Sequence, residues 1–461
     1  MASRSVPLAS ATALALASAS LLAVAGCGGA ASAPPPATAA TASFPATPAG
    51  QQARWLFGAV TRTPIPGSQL AAHFDRAFLT QVPPAQLNTV LAGVTSLRVD
   101  SVIATQPTAL VMLVTANGST KLRVSLGVDP QGLISSLLLQ PASASPPAVP
   151  ISWAGVDRQL RSVAPQVRFL AAAVTGGQCR PIHAIDASTP APLGSAFKLY
   201  VLDALARAIA AHRVSWDQPL TVTSGVKSLP SGVLQNDPNG TRVPVRQVAA
   251  GMISISDNTA ANMLIALLGR PAVEAATRSS GMADPALDAP FLTTRELFVL
   301  KLDNWPRLAD RYLALSPAGR QALLTGSIDH VPLSSLKLAP WSVPRDIGSL
   351  EWFASPADIC RVYASLASLA RQPGLAPVAS ILQINDGGIG LSSRQWRSVW
   401  YKGGSEPGVL TLNYLATTRT GQTYVASALA ENPSAPIAEP SAIPAMLSAI
   451  KGAFHLAAGQ G

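Results

Sequence analysis

Two kinds of apolar pattern run along the chain, and the change between them divides it. Residues 70–74 and 87–91 place apolar side chains at helical spacing and predict two short amphipathic helices. Residues 96–103, 109–114, 121–126 and 134–139 are short apolar or alternating runs of strand length. Asn117-Gly118 between the second and third reads as a hairpin turn. Helices followed by an antiparallel meander predict a small α+β domain over residues 53–140. Proline-rich residues 141–150 predict a linker. A second domain is expected over 151–461. It opens with a helix at 153–162 and strands at 167–174 and 181–185. A largely buried helix follows at 195–212, another apolar helix at 260–268, and late strands at 409–415 and 422–429.

The N-terminus stands outside both patterns. One arginine, a short apolar run and a small-residue close at Val24-Ala25-Gly26-Cys27 predict a signal peptide over residues 1–26. The cysteine directly after Ala-Gly resembles a bacterial lipobox, with Cys27 the lipidated residue, and an ordinary signal peptide is the alternative. Residues 28–52, rich in Ala, Pro, Thr and Ser, predict a disordered tether. The expected location is extracytoplasmic, as a membrane-anchored lipoprotein. The net charge of +10 has no dense run behind it and aromatic content is low, which argues against nucleic-acid binding. Cys179 and Cys360 either pair or sit as free core cysteines. Five histidines are scattered without ligand spacing, so neither a metal nor a cofactor is expected.

Candidate chemistry begins at Ser195-Ala196-Phe197-Lys198, where a hydroxyl and an amine share one helix face after Gly194. The same spacing recurs at Ser224 and Lys227 and at Ser334 and Lys337, so it selects nothing alone. An ammonium on an apolar helix, however, needs partners. Ser256-Asp257-Asn258 lies at the mouth of the 260–268 helix, where ordinary N-capping accounts for one residue of the three. Trp400-Tyr401-Lys402-Gly403-Gly404-Ser405 reads as an edge-like strand that a ligand approaches closely, or as a lysine guarding a sheet edge beside a bulge.

Taken in order, Ser-x-x-Lys, Ser-Asp-Asn and Lys-x-Gly resemble the signature of class A β-lactamases and penicillin-binding proteins, here with Gly403 in the middle position. The resemblance runs from about Trp153 to the C-terminus. Within it, Pro290 to Leu297 is similar to the family's helix after the omega loop. The Lys-Gly-Gly variant and the domain in front are more similar to two-domain β-lactamase-like lipoproteins and to the β-lactamase-fold esterase of clavulanic-acid clusters. That resemblance implies a mixed α/β fold, an antiparallel sheet flanked by helices, behind a small cyclase- or isomerase-like α+β domain. It also implies roles. Ser195 becomes the acylated nucleophile, Lys198 its base and Ser256 the proton relay. Asn258 orients Lys198 or a substrate amide, and Lys402 tunes the relay and attracts a carboxylate. Backbone N–H groups of Ser195 and Ser405, beside Gly404, form the oxyanion hole, and the Ser405 hydroxyl also reaches the carboxylate.

One departure limits the expected activity. The Glu-x-x-Leu-Asn segment that supplies the family's deacylating base has no counterpart: Glu274, Asp284 and Asp288 are the only acids between Asn258 and Phe291. Glu296 beside Arg295 reads as a solvated or salt-bridged surface residue. The expectation is a monomeric exported serine hydrolase that is slow on β-lactams and acts on an ester or amide. Its partners would be a small-molecule substrate (a β-lactam, an ester or a cell-wall peptide) and the membrane. The alternatives are a sensor that acylates without turnover and an inactive envelope adaptor.

Overall fold

The computed structural model describes residues 44–105, 109–129, 131–141, 147–336 and 341–459. Two compact units divide the chain, one ending at Ala144 and the other starting at Ser145.

In the first unit, α1 (Pro48–Ala59), α2 (Gly67–His73), α3 (Arg76–Gln81) and α4 (Pro84–Leu91) precede β1 (Leu97–Thr105), β2 (Ala109–Ala116), β3 (Thr120–Val128) and β4 (Ile134–Pro141). The strands form an antiparallel sheet in chain order. Asn117 and Gly118 both take positive φ, as the tight turn between β2 and β3 requires. Leu56, Leu70 and Leu87 pack with Met112, Val114 and Val124 on one face of the sheet. The tether assigned to residues 28–52 is corrected at its end, and the domain starts before residue 53. Helix α1 begins at Pro48, Thr47 Oγ1 accepts the Gly50 N–H at 3.1 Å, and Ala49 and Ala53 are fully buried. The inner face of its first two turns is Ala49, Gly50 and Ala53, and its large buried residues, Leu56 and Phe57, come only in the last turn, too few to register as a period. Gly50 is required there, because a Cβ would sit 2.0 Å from Pro45 O.

The second unit contains α5 (Trp153–Arg161), β5 (Gln166–Thr175), β6 (Gln178–Ile185), β7 (Ala191–Pro192) and α6 (Lys198–Ala210). Next come β8 (Pro219–Thr221), β9 (Arg242–Pro244), α7 (Val245–Ser254), α8 (Asn258–Leu268), α9 (Arg270–Ser279) and α10 (Thr294–Leu302). After α11 (Arg307–Leu313) and α12 (Pro317–Gly326) follow β10 (Phe353–Ala354), α13 (Pro356–Leu369) and α14 (Ala376–Leu382). The chain closes with β11 (Trp396–Glu406), β12 (Val409–Thr418), β13 (Thr423–Glu431) and α15 (Glu439–Gly459).

These strands build an antiparallel five-stranded sheet in the order β11-β12-β13-β5-β6. Its central strands β12 and β13 are buried on both faces, so the period of two sorts the sheet's apolar residues into two cores. Leu170, Ala172, Leu415 and Leu429 face the helices α6 to α10 and α13. Phe169, Ala171, Tyr414 and Ala428 face α5 and α15. Helix α15 is long and apolar enough to cross a membrane, but half of its apolar window is buried against this sheet and α5. Residues 147–150, within the span assigned as linker, lie on α15. Ser448 Oγ donates to Pro147 O at 2.8 Å, and a Cβ on Gly452 would lie 2.6 Å from Pro150 O. Cys179 on β6 and Cys360 on α13 form a disulfide, which settles the alternative left open by their spacing.

Candidate active site

Ser195 lies in a tight 3-10 turn, Gly194–Phe197, that leads into α6. Strand β7 pairs with β10, and the Leu193 N–H donates to Trp352 O at 2.9 Å. The Trp352 ring stacks on Phe197 with centroids 3.7 Å apart. Gly194 takes φ +50°, a left-handed conformation that swings the chain up beneath Ser195. Lys198, the first residue of α6, is completely buried because α6 runs through the helical core.

The Lys198 amine has four neighbours. Its Nζ lies 2.6 Å from Ser256 O and 2.6 Å from Asn258 Oδ1, and 3.1 Å from both Ser195 Oγ and Ser256 Oγ. The two short contacts reach oxygens that can only accept. A neutral amine satisfies both with its two N–H bonds and keeps a lone pair for a hydroxyl proton. The Asn258 orientation follows from its other end, where Nδ2 donates to Leu229 O at 3.1 Å. Burial holds the Lys198 pKa well below the usual lysine value, the charge on Lys402 lowers it further, and Asp257 opposes them.

Ser256 adopts φ +58°, uncommon for a residue with a side chain. The turn is held from several sides. Ser231 Oγ donates to Ser256 O at 2.8 Å, and the Asn258 N–H donates to Ser231 O at 2.9 Å. Asp257 is the N-cap of α8, accepting the Ala260 N–H at 2.8 Å, and its second oxygen accepts the N–H groups of Val233 and Leu234. Capping therefore accounts for Asp257. It leaves the Ser256 hydroxyl and the Asn258 amide turned to Lys198.

The third element is the edge strand β11. Lys402 Nζ donates to Ser256 Oγ at 3.1 Å and to Gly403 O at 2.6 Å, so Ser256 lies between two lysines. Burial lowers Lys402 to about 7. Gly404 lets the strand close on the Ser195 turn: a Cβ there would lie 2.3 Å from Leu193 O and 2.4 Å from Ser195 N. A Cβ on Gly194 would in turn lie 2.9 Å from Ser405 N. The backbone amides of Ser195 and Ser405 are thus brought side by side. Gly403 has a different reason, since a Cβ would meet the Tyr401 hydroxyl at 2.2 Å. Tyr401 occupies the space beside the strand that a Ser or Thr would need. The only register shift of β11 against β12 falls at Trp396/Ser398, so neither glycine marks a bulge.

All seven residues assigned to catalysis and binding from sequence therefore lie in one cluster: Ser195, Lys198, Ser256, Asn258, Lys402, Gly404 and Ser405. Supporting residues on β12 escaped notice. Thr411 Oγ1 donates to Leu193 O at 2.9 Å, and Asn413 Nδ2 donates to Lys402 O at 3.2 Å. Their signal was present, as two polar residues inside the apolar first half of a strand that is buried throughout. Ser224 is exposed and Lys227 donates instead to Asp237 O, while Ser334 is exposed and Lys337 lies outside the described residues. Cys27 and the signal segment also lie outside them.

Among the described residues no carboxylate hydrogen-bonds to Ser195, Lys198, Ser256 or Lys402. Glu274 accepts the Phe291 N–H at 3.0 Å, Asp284 caps a short turn, and Asp288 accepts the Phe353 N–H at 2.8 Å. The surface role assigned to Glu296 is corrected. Glu296 is fully buried, pairs with Arg270 at 2.6 Å and completes a capping box with Thr293. Its partner comes from α9, and Arg295 turns to backbone carbonyls including Val331 O.

Residues 160–322 match the model of the β-lactamase enzyme family. That match lies within the second unit. Residues 44–134, in the first unit, match the family described as ORF 12 gene product N-terminal. Among solved structures, the chain is similar to a β-lactamase from Sphaerobacter thermophilus DSM 20745, with 22% identity, a TM-score of 0.47, and coverage of 68% of this chain and 99% of that one. PBP-A matches with 17% identity, a TM-score of 0.45, and coverage of 68% and 99%. A β-lactamase from Xanthomonas campestris pv. campestris matches with 16% identity, a TM-score of 0.44, and coverage of 66% and 97%. Among curated proteins none matches the chain.

Proposed function

We propose that the β-lactamase-like domain is a serine hydrolase that acts through an acyl-Ser195 intermediate on an ester or amide. The observation that carries this reading is Lys198, buried with lowered basicity and in hydrogen-bond contact with both the Ser195 and the Ser256 hydroxyls. Lys198 Nζ takes the Ser195 proton as Oγ attacks the substrate carbonyl. The negative charge that develops on the carbonyl oxygen meets the N–H groups of Ser195 and Ser405, which act most strongly in a dry, fixed site. The proton then passes from Lys198 through Ser256 Oγ to the leaving group. Lys402 stabilises the relay and, with the Ser405 hydroxyl, attracts a substrate carboxylate.

Release of the acyl group follows from the same inventory. With no carboxylate hydrogen-bonded to Ser195 among the described residues, a water must be activated by Lys198 itself. An ester's alcohol departs and leaves room for that water, whereas a β-lactam keeps its leaving amine tethered in the cleft. Ester turnover and persistent β-lactam acylation are therefore expected together, and the second behaviour would also serve a sensor of β-lactams or cell-wall peptides. The Cys179–Cys360 disulfide supports an oxidising, extracytoplasmic compartment, in keeping with a signal peptide and lipidation at Cys27.

The test is intact mass spectrometry after incubation with p-nitrophenyl acetate and with a fluorescent penicillin. An acyl adduct is expected with both, decaying only for the ester. A mass unchanged by either reagent, while a control penicillin-binding protein is labelled, refutes the reading.

A further inference from the structure

Lys301, on α10, is completely buried and takes no part in the Ser195–Lys198–Ser256–Lys402 cluster. Its Nζ donates to Glu406 Oε1 at 2.5 Å and lies 3.6 Å from Glu351 Oε1. Glu351 reaches the nucleophile turn: its Oε2 accepts the Gly194 N–H at 3.1 Å and the Trp352 N–H at 3.1 Å. Two acids and one lysine, all buried, therefore join the residue immediately before Ser195 to the residue immediately after Ser405. Ser195 and Ser405 themselves carry the two backbone amides assigned to the oxyanion hole.

We infer that Glu351 is a positioning residue, which with Lys301 and Glu406 clamps the nucleophile turn to β11 and so fixes the spacing of the Ser195 and Ser405 N–H groups. Stability alone does not explain the triad. Replacing buried ion clusters with apolar residues of similar volume is often neutral or stabilising, because desolvation of the charges cancels their attraction. Geometry does explain it. β11 is an edge strand, paired by β12 on one side only, so its other side needs a tether where it approaches Gly194. Oxyanion donors work only when both are aimed at one point, and a displacement of about 1 Å costs on the order of 100-fold in rate.

The inference rests on the acyl-transfer reading, and the experiment separates the two. Wild type, Glu351→Ala, Glu351→Gln and Lys301→Met are compared at a temperature where each is folded. Two quantities are read: the acylation rate constant, resolved from pre-covalent binding, and hydrogen exchange at residues 194–196 and 405. Glu351→Ala is expected to slow acylation about 10- to 100-fold with binding changed less than about threefold, and to speed exchange at both segments. Glu351→Gln keeps an oxygen for both N–H groups and recovers acylation to within about fivefold of wild type. Lys301→Met supplies the same exchange readout if Glu351→Ala does not fold. Acylation within about twofold of wild type and unchanged exchange in the folded variants overturns the clamp. Wild-type protein that takes no acyl group sinks the acyl-transfer reading instead, and the exchange at the two segments then still upholds or overturns the clamp itself.

Discussion

Gly404→Ala tests the close approach on which the site depends. The added Cβ would lie 2.3 Å from Leu193 O, 2.4 Å from Ser195 N and 2.8 Å from Gly194 C, all of them backbone atoms. Real Cβ atoms essentially never come within 3.0 Å of such neighbours. The strand must therefore retreat by about 0.7 Å or more, since backbone packed this tightly has no side chain to rotate away. Gly404 does not have a positive φ, so the effect is steric and not torsional. Overpacking of this kind costs about 1–3 kcal/mol of stability. A shift of that size between the Ser195 and Ser405 amides costs on the order of 100-fold in acylation, about 2.7 kcal/mol of transition-state stabilisation. The assay is the pre-steady-state burst of p-nitrophenol, read beside the melting temperature. Gly348→Ala is the matched control, because its Cβ meets nothing within 4 Å. A Gly404→Ala protein that acylates within about threefold of wild type refutes the placement of the two amides.

Other perturbations probe separate parts of the molecule. Ser195→Ala should abolish labelling by penicillin and ester, whereas Ser224→Ala and Ser334→Ala should leave it unchanged; either of these matching Ser195→Ala while folded shows the wrong serine has been chosen. Lys402 titrates at about 7, so a substrate bearing a carboxylate should bind more weakly as pH rises through that value, while a neutral ester does not; parallel pH profiles for the two would contradict it. The same depressed value means the folded protein holds fewer protons than the unfolded chain between about 7 and 10.5, so the penalty for burying this cation is full below that window and fades as pH rises across it. Lys402→Met should therefore raise the melting temperature at neutral pH while slowing acylation, and a lowered one in the folded variant speaks against the burial argument. The disulfide spans a sequence separation of 181, which the chain-entropy model values at about 5 kcal/mol; full reduction without a fall in melting temperature would be inconsistent with it.

The main strands of the two units, several of the helices and the chemistry-bearing residues were legible in the sequence. A helix or strand announces itself through local periodicity, and reactive residue types at short spacing are local as well. Ser195 with Lys198, Ser256 with Asn258, and Lys402 with two glycines each belong to one stretch of chain. That the three stretches meet was legible only through resemblance to a family. Helix α1 was missed for a local reason, since the buried face of its first two turns is alanine and glycine.

The contacts that decide function are long-range. Whether Cys179 pairs with Cys360, whether Glu296 is buried, and which groups surround Lys198 depend on residues far apart in sequence. So does the reason for Gly404: the sequence shows a residue without a side chain, and only packing shows Leu193 O and Ser195 N in the space that a side chain would fill. The sequence alone determined which side chains were available for acyl transfer and where they sat along the chain. The tertiary structure decided that Lys198 loses its solvent, gains two oxygens that can only accept and comes within 3.1 Å of the Ser195 and Ser256 hydroxyls. Desolvation and hydrogen-bond geometry are properties of the assembled core, and no local pattern encodes them.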